Sequence, residues 1–281
     1  MKITTLIEND LASGVKNLKS EFGLSLHLEF DGRSILFDTG SSGKFIDNAR
    51  ELGIDIKKID TVIISHAHFD HTGGLKRFLT ENKTASIYIS EHVKSDYYYR
   101  PVSFFKKYIG IDHTMLDENM ARFHFVSADM ELETGIRLVT AIQHNHKIPS
   151  DSKNLYTRNK NGLENDNFEH EMILTVDDNG KLFIFTGCSH NGILNMVDTV
   201  RSKNPAKEII VIGGFHMFNP ITKGMSERKQ DVIDIAKVFN DAPYIDKIIT
   251  GHCTGEKAFS VLNSIMGGKL LAMKTGSVYE F

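Results

Sequence analysis

Four side chains of metal-ligand type lie within six consecutive positions of the sequence. The motif His66-x-His68-x-Asp70-His71 follows a short apolar run, Ile59 to Ile64, that predicts a buried strand. Residues i and i+2 of extended backbone point the same way, so His66 and His68 can reach one metal ion. Asp70 and His71 follow where the chain turns toward a helix, and they can face a second ion. A loop that is rich in histidine by chance is the alternative, and this density of ligand types argues against it.

Three further histidines and both cysteines occur in short motifs after apolar runs. His190 lies in Thr186-Gly187-Cys188-Ser189-His190, His216 ends Gly213-Gly214-Phe215-His216, and His252 lies in Gly251-His252-Cys253-Thr254-Gly255. Loops at strand ends often carry functional residues, because a rigid scaffold positions them. Two cysteines are too few for a disulfide scaffold, whereas a thiolate can bind zinc.

Alternating apolar runs and helical spacings predict the elements that position these residues. Leu24 to Phe30 and Ser34 to Phe37, separated by an Asp-Gly turn, predict a hairpin. Glu171 to Val176 and Lys181 to Phe185 flank another turn and predict a second hairpin. Further strands are predicted at Ile59–Ile64, Ile209–Ile212 and Lys247–Thr250, and helices at Lys44–Leu52, Ile193–Arg201 and Asp231–Phe239. Helices between strands in both halves predict an α/β (α+β) fold, with two sheets face to face and helices outside.

Composition excludes several classes of protein. The 281 residues include 33 basic and 36 acidic side chains, which gives a net charge of −3, and 41% of residues are hydrophobic. This balance is typical of a soluble globular protein and argues against disorder or a nucleic-acid partner, which needs positive charge. No apolar stretch is long enough to span a membrane, and the N-terminus does not resemble a signal peptide. We therefore expect one cytoplasmic domain over residues 1–281.

The motifs are similar to those of a known family. His66-x-His68-x-Asp70-His71, with Asp38-Thr39-Gly40 one helix earlier, resembles the signature of the metallo-β-lactamase superfamily. The resemblance covers nearly the whole chain and implies a four-layer αββα sandwich with a mono- or dinuclear metal site at one edge. The motifs around Cys188, His216 and His252 are similar to those of a subgroup that includes 7,8-dihydropterin-6-methyl-4-(β-D-ribofuranosyl)aminobenzene-5′-phosphate synthases.

The resemblance implies two sets of metal ligands. The residues that match are His66, His68 and His190 for a first ion, and Asp70, His71 and His252 for a second. Imidazole-rich ligation favours zinc, at one or two ions per chain, and manganese or iron also suits such ligands.

Several positions near these ligands stay open. His144 and His146 follow another strand-like run and are alternatives to His190 as third ligand of the first ion. Cys188 stands where many superfamily members have a metal-bridging aspartate, so it is either a thiolate ligand or a small buried residue. Asp38 is expected to accept a hydrogen bond from a ligand imidazole, or else only to form a turn. His216 either contacts a substrate oxygen or has a structural role.

Two stretches read as insertions around the site, at residues 95–125 and 145–168. The first crowds aromatic side chains such as Tyr97 and Phe104 beside Arg100, Lys106 and Lys107. This composition suits a flat heterocycle with a phosphate, and it also suits helix packing or a subunit interface. The second is polar and is expected to be a long loop without secondary structure, such as a lid.

The resemblance implies a metal-dependent enzyme acting on a small anionic substrate that carries a phosphate or diphosphate. The reaction is either hydrolysis by metal-bound hydroxide, with Asp70 orienting the nucleophile, or pterin-type condensation with loss of diphosphate. Both use metal ions as Lewis acids, so the ligands do not separate them. The alternative is a non-catalytic or redox-sensing metal-binding protein on the same fold, because Cys188 and Cys253 both adjoin metal motifs. Self-association as a homo-oligomer is left open, and no membrane partner is expected.

Overall fold

The computed structural model describes residues 1–204 and 207–281, which form two compact units. The first unit comprises Met1–Ser127, Tyr156–Asn165 and Met273–Phe281. The second unit comprises Ala128–Leu155 and Asp166–Ala272. Each unit contains one large β-sheet.

The strands follow one another along the whole chain. They are β1 (Lys2–Ile7), β2 (Ser25–Phe30), β3 (Arg33–Phe37), β4 (Thr61–Ile63), β5 (Ser86–Ser90), β6 (Asp96–Val102), β7 (Phe105–Tyr108), β8 (Phe123–Val126), β9 (Met130–Glu133), β10 (Ile136–Val139), β11 (Leu155–Asn159), β12 (Gly162–Asn165), β13 (Ile173–Asp178), β14 (Lys181–Phe185), β15 (Glu208–Ile212), β16 (Phe218–Asn219), β17 (Gly224–Met225), β18 (Ile245–Thr250), β19 (Leu270–Ala272) and β20 (Val278–Glu280). Both hairpins predicted from the sequence are present, as β2–β3 and β13–β14.

The helices are short. They are α1 (Lys44–Glu51), α2 (Phe69–Thr72), α3 (Leu75–Glu81), α4 (His113–Glu118), α5 (Ile193–Lys203), α6 (Lys229–Asp241) and α7 (Glu256–Met266). Turns of 3₁₀ helix occur at Ile56–Lys58, Glu91–Lys94, Met120–Arg122, Ser150–Asn154, His252–Thr254 and Gly267–Lys269. Among residues 1–204 and 207–281, no helix has the length and apolar character that crossing a membrane requires.

The sheet of the first unit has the order β20-β1-β2-β3-β4-β5-β8. Its strands β3, β4, β5 and β8 run parallel to one another. Helix α1 lies against β1 and buries Phe45, Ile46 and Ala49, close to the face that its helical spacing predicts. Because β3 and β4 are parallel neighbours, the residues after Phe37 and Ile63 emerge at the same edge of the sheet.

The sheet of the second unit has the order β19-β18-β15-β14-β13-β10-β9, and β14, β15, β18 and β19 are parallel. One apolar core joins this sheet to its helices, with Ile184 and Val211 from the strands and Met196, Val232 and Leu262 from α5, α6 and α7. Because β14, β15 and β18 are parallel, the loops that follow them leave the sheet at one edge. These loops carry the motifs around Cys188, His216 and His252.

Two expectations about the inserted stretches are wrong. Residues 145–168 are not a structureless loop, because they include the 3₁₀ turn at Ser150–Asn154 and strands β11 and β12. The aromatic stretch forms the hairpin β6–β7 and does not pack as a helix. These four strands make a small sheet of order β12-β11-β6-β7, whose partners are far apart in the sequence. The boundaries of the insertions stay a prediction.

Candidate metal centre

The predicted ligands of the first unit lie where β4 ends and α2 begins. His66 and His71 are fully buried, and His68 and Asp70 are 4% and 6% exposed. The ring centre of His66 lies 4.7 Å from that of His68 and 4.1 Å from that of His71. Nε2 of His71 is 3.6 Å from a carboxylate oxygen of Asp70, a separation that two ligands of one ion can have. The first unit therefore gathers three imidazoles and one carboxylate at one buried place.

A buried carboxylate orients two of these imidazoles. Asp38, fully buried after β3, accepts hydrogen bonds from Nδ1 of His71 at 2.6 Å, from Oγ of Ser65 at 2.7 Å and from the backbone N–H of Ser65 at 2.8 Å. Because Ser65 Oγ donates to Asp38, it can accept from Nδ1 of His66, which is 2.9 Å away. Both rings then carry their proton on Nδ1 and present Nε2 as a ligand atom, which is the arrangement that metal-binding histidines need.

Close backbone approach holds this motif in place. A Cβ atom on Gly74 would lie 2.1 Å from the carbonyl oxygen of Thr39, and one on Gly73 would lie 2.2 Å from that of Ser41. Thr39 also donates its backbone N–H to the carbonyl of His71 at 2.8 Å. The two glycines after the motif therefore let the Asp38 loop and the ligand segment pack directly together.

The candidate ligands of the second unit lie in the loops that follow three of its parallel strands. Cys188, His190 and His252 are each no more than 3% exposed. The sulfur of Cys188 lies 3.4 Å from Nε2 of His252. That sulfur and one ring nitrogen each of His190 and His216 also lie within 4.8 Å of one another. A thiolate and imidazoles at this spacing are a donor set that zinc accepts.

The second cysteine is electrostatically coupled to His216. Burial alone would raise the pKa of the Cys253 thiol, but its neighbours Cys188, His252 and His216 outweigh burial and bring this pKa well below the usual value. Burial alone would lower the pKa of His216, and its closeness to Cys253 raises it instead. The backbone N–H of His216 also donates to Cys253 Sγ at 3.2 Å. Gly214 is required here, since its Cβ would stand 2.4 Å from that sulfur.

Sequence reasoning missed the residues that hold His190. Glu171 is fully buried and accepts hydrogen bonds from the backbone N–H groups of His190 and Asn191, at 2.8 and 2.9 Å. Burial raises the pKa of Glu171 despite these donors. The ring of Phe168 stacks on that of His190 with centres 5.0 Å apart. The available signal was an acidic residue at the start of an apolar strand, which does not identify a partner 19 positions away.

A second pair missed by the sequence is Asp166 and His170. Their side chains are each 1% exposed, and Nε2 of His170 lies 3.0 Å from a carboxylate oxygen of Asp166. Both belong to the segment that carries Phe168, whose φ of 58° lies in the left-handed region. The pair fixes the shape of the segment that packs on His190.

The two histidines considered as alternatives to His190 are not buried. His144 and His146 are both exposed. Nε2 of His146 lies 2.8 Å from a carboxylate oxygen of Asp198 on α5, and its backbone N–H donates to Asn195. These contacts do not favour either residue over His190 as a metal ligand.

Comparisons with known proteins identify relatives of this chain. The family described as the metallo-β-lactamase superfamily matches residues 21–137. The chain is 31% identical to the 7,8-dihydropterin-6-methyl-4-(β-D-ribofuranosyl)-aminobenzene-5′-phosphate synthase of Methanocaldococcus jannaschii, over 100% of this chain and 97% of that protein.

Solved structures extend the likeness to the fold. A metal-dependent hydrolase of the β-lactamase superfamily superposes with a TM-score of 0.82 and 27% identity, covering 100% of this chain and 99% of the other. Zinc-bound PqqB from Methylobacterium extorquens covers 100% of both chains, with a TM-score of 0.63 and 10% identity, and is similar in fold alone. The fold class predicted from the sequence is confirmed. The chain belongs to the metallo-β-lactamase superfamily.

Proposed function

We propose that this protein is a metal-dependent enzyme that acts on a small substrate carrying a phosphate or diphosphate group. The observation that supports it most is the buried Asp38 network, which leaves Nε2 of His66 and His71 as ligand atoms. Four buried ligand-type residues on one segment, oriented in this way, suit a metal ion far better than a structural core.

The proposed ligands follow the two sets described above. They are His66, His68 and His190 for one ion and Asp70, His71 and His252 for another, with Cys188 as a further donor beside His252. Cys188 suits this role because its sulfur is within reach of both His190 and His252. A divalent ion bound by such donors supplies Lewis acidity to the phosphate ester.

The chain's own side chains supply positioning and proton transfer. The carboxylate of Asp70 can orient an attacking water by accepting its hydrogen bond. The ring N–H of His216 can donate a hydrogen bond to a substrate oxygen as negative charge develops there. Asp70 is only 6% exposed, and an interaction of its carboxylate is stronger there than in bulk water.

Two reactions fit this arrangement. Hydrolysis is supported by the likeness to the metal-dependent hydrolase. Condensation of a pterin diphosphate with an aminobenzene acceptor, with loss of diphosphate, is supported by the identity with the synthase over the whole chain. A redox-sensing role receives less support, because both cysteines are buried and an oxidant needs access to them.

The test uses metal-loaded protein in two assays in parallel. One supplies a pterin diphosphate with an aminobenzene acceptor and measures diphosphate release, and the other supplies a generic phosphodiester. We expect turnover in at least one assay and its loss in His68→Ala, while His124→Ala, an exposed histidine stacked on Tyr88, keeps it. No turnover in either assay by fully loaded protein would contradict the proposal.

A further inference from the structure

The hairpin β6–β7 is fastened to the ligand segment of the first unit. The backbone N–H of Phe69 donates to the carbonyl of Ile109, just after β7, at 2.8 Å. The N–H of Ile109 donates in turn to the carbonyl of Tyr97 on β6 at 2.9 Å. The ring of Tyr97 meets that of His68 edge to face, with centres 6.0 Å apart. The hairpin is therefore attached directly to the segment that carries the predicted metal ligands.

This attachment brings one positive charge to the segment that carries the ligands. Nζ of Lys107 lies 4.7 Å from the ring centre of Phe69. Phe69 stands in the sequence between His68 and Asp70, so the contact ties Lys107 to the residue that separates two predicted ligands. A cation–π contact of this kind holds a lysine without neutralising it, because the aromatic ring has no net charge.

Lys107 keeps its charge available to a ligand. It is exposed, and it forms no salt bridge within residues 1–204 and 207–281. Lys19 and Lys181, by contrast, lie 3.0 and 2.8 Å from carboxylate oxygens. An ammonium group has three N–H donors and acts as a point charge toward phosphate oxygens.

We propose that Lys107 binds the phosphate or diphosphate group of the substrate and that Phe69 positions it for this role. This inference rests on the proposed function, because it assigns a specificity residue to the same reaction. The aromatic hairpin thereby acts as part of the substrate site, one of the readings that its composition allowed.

The neighbouring lysine provides a matched control. Lys106 lies on the same strand, one residue earlier, and adjacent residues of a strand point to opposite faces. Its Nζ lies 4.8 Å from the ring centre of Tyr98, which belongs to β6 and not to the ligand segment. Lys106 and Lys107 therefore share exposure, charge and a cation–π contact, and they differ in whether that contact is with the metal motif.

The experiment measures pyrophosphate binding to metal-loaded protein by calorimetry, with metal content determined before and after titration. We expect Lys107→Met to weaken binding about 10- to 100-fold, in keeping with the loss of one hydrogen-bonded charge pair. Lys106→Met should change it less than about 3-fold, and Lys107→Arg should retain most of the affinity because it retains the charge.

The outcomes separate the inference from the proposed function. If wild-type protein with a full complement of metal binds no pyrophosphate, the proposed phosphate-bearing substrate is wrong and this inference falls with it. If wild-type protein binds and Lys107→Met binds equally well, only the role of Lys107 is refuted. A loss in Lys107→Arg as large as in Lys107→Met would also overturn it, because charge would then not be the cause.

Discussion

Asp38→Asn is the sharpest test of how the ligands of the first unit are oriented. The carboxylate accepts three hydrogen bonds, two from Ser65 and one from His71. An asparagine keeps one carbonyl acceptor for the backbone N–H of Ser65, but it places an NH₂ group against Ser65 Oγ and His71 Nδ1. The bond from His71 is then lost, whereas Ser65 Oγ can reverse its role and accept a hydrogen bond from the NH₂ group. A bond to a charged acceptor is worth about 1.5–3 kcal/mol, and we expect metal-free protein to lose about this much unfolding free energy.

The effect on metal binding follows from the same contacts. Removing such a supporting carboxylate typically weakens metal affinity about 10- to 100-fold. Competition with a chromophoric chelator measures this affinity, and urea unfolding measures the stability. Ser65→Ala is the graded control, because it removes the contact with His66 and leaves the bond between Asp38 and His71. We expect it to weaken the site of His66 and to spare that of His71. If Asp38→Asn binds both ions as tightly as wild-type protein, the orientation argument fails.

Three further predictions follow from the structure. Purified protein should carry one to two divalent ions per chain. Chelation should lower its melting temperature, since an ion at 100 times its Kd adds about 2.7 kcal/mol to the free energy of unfolding. A metal content below a tenth of an ion per chain after reconstitution would contradict this. Gly74→Ala should destabilise the protein by about 1–3 kcal/mol through its clash with Thr39, measured by urea unfolding, whereas Gly268→Ala, with no atom within 4 Å, should be tolerated. A hydrogen bond from Arg77 lowers the pKa of Asp47 to about 2, so this pair stabilises the fold fully above the unfolded pKa of about 4 and loses its effect as pH falls through the folded pKa of about 2. Asp47→Asn should cost less than about 1 kcal/mol at pH 6, because the pair is partly exposed, and clearly less at pH 2.

The elements nearest the site were the most predictable from the sequence. The ligand motif follows the short strand β4, and the motifs around Cys188, His216 and His252 follow β14, β15 and β18. Buried parallel strands have continuous apolar runs that local pattern reveals, and ligand-type residues at their ends are equally visible. Two hairpins and the main helices follow for the same reason. Local periodicity therefore predicts where side chains emerge from the sheet.

The remaining features depend on partners that local pattern does not reveal. The small sheet pairs strands from β6–β7 with β11–β12, which are separated by more than forty positions. Polar residues such as Arg158 and Glu164 interrupt the apolar alternation that identifies a strand. The sequence of this segment therefore predicts a loop. Glu171 is hidden in the same way, because its partners His190 and Asn191 lie on the far side of the hairpin β13–β14. Register and long-range hydrogen bonds arise only when the chain is folded.

Four residues in the loops that follow parallel strands have a strained backbone conformation. Asp38, Ser189, His216 and His252 all have φ between 49° and 59°, in the left-handed region that glycine adopts most easily. Each occurs in a loop after a parallel strand, and each costs of order 1–3 kcal/mol in conformational energy. Glycine would relieve that cost, as it does at Gly213, whose φ is 151° and whose Cβ would strike Thr186. At three of the four positions, however, glycine would remove a carboxylate or an imidazole assigned to the metal centre. At Asp38, His216 and His252 the strained backbone therefore retains a side chain assigned to the proposed site, whereas Gly213 leaves space for Thr186.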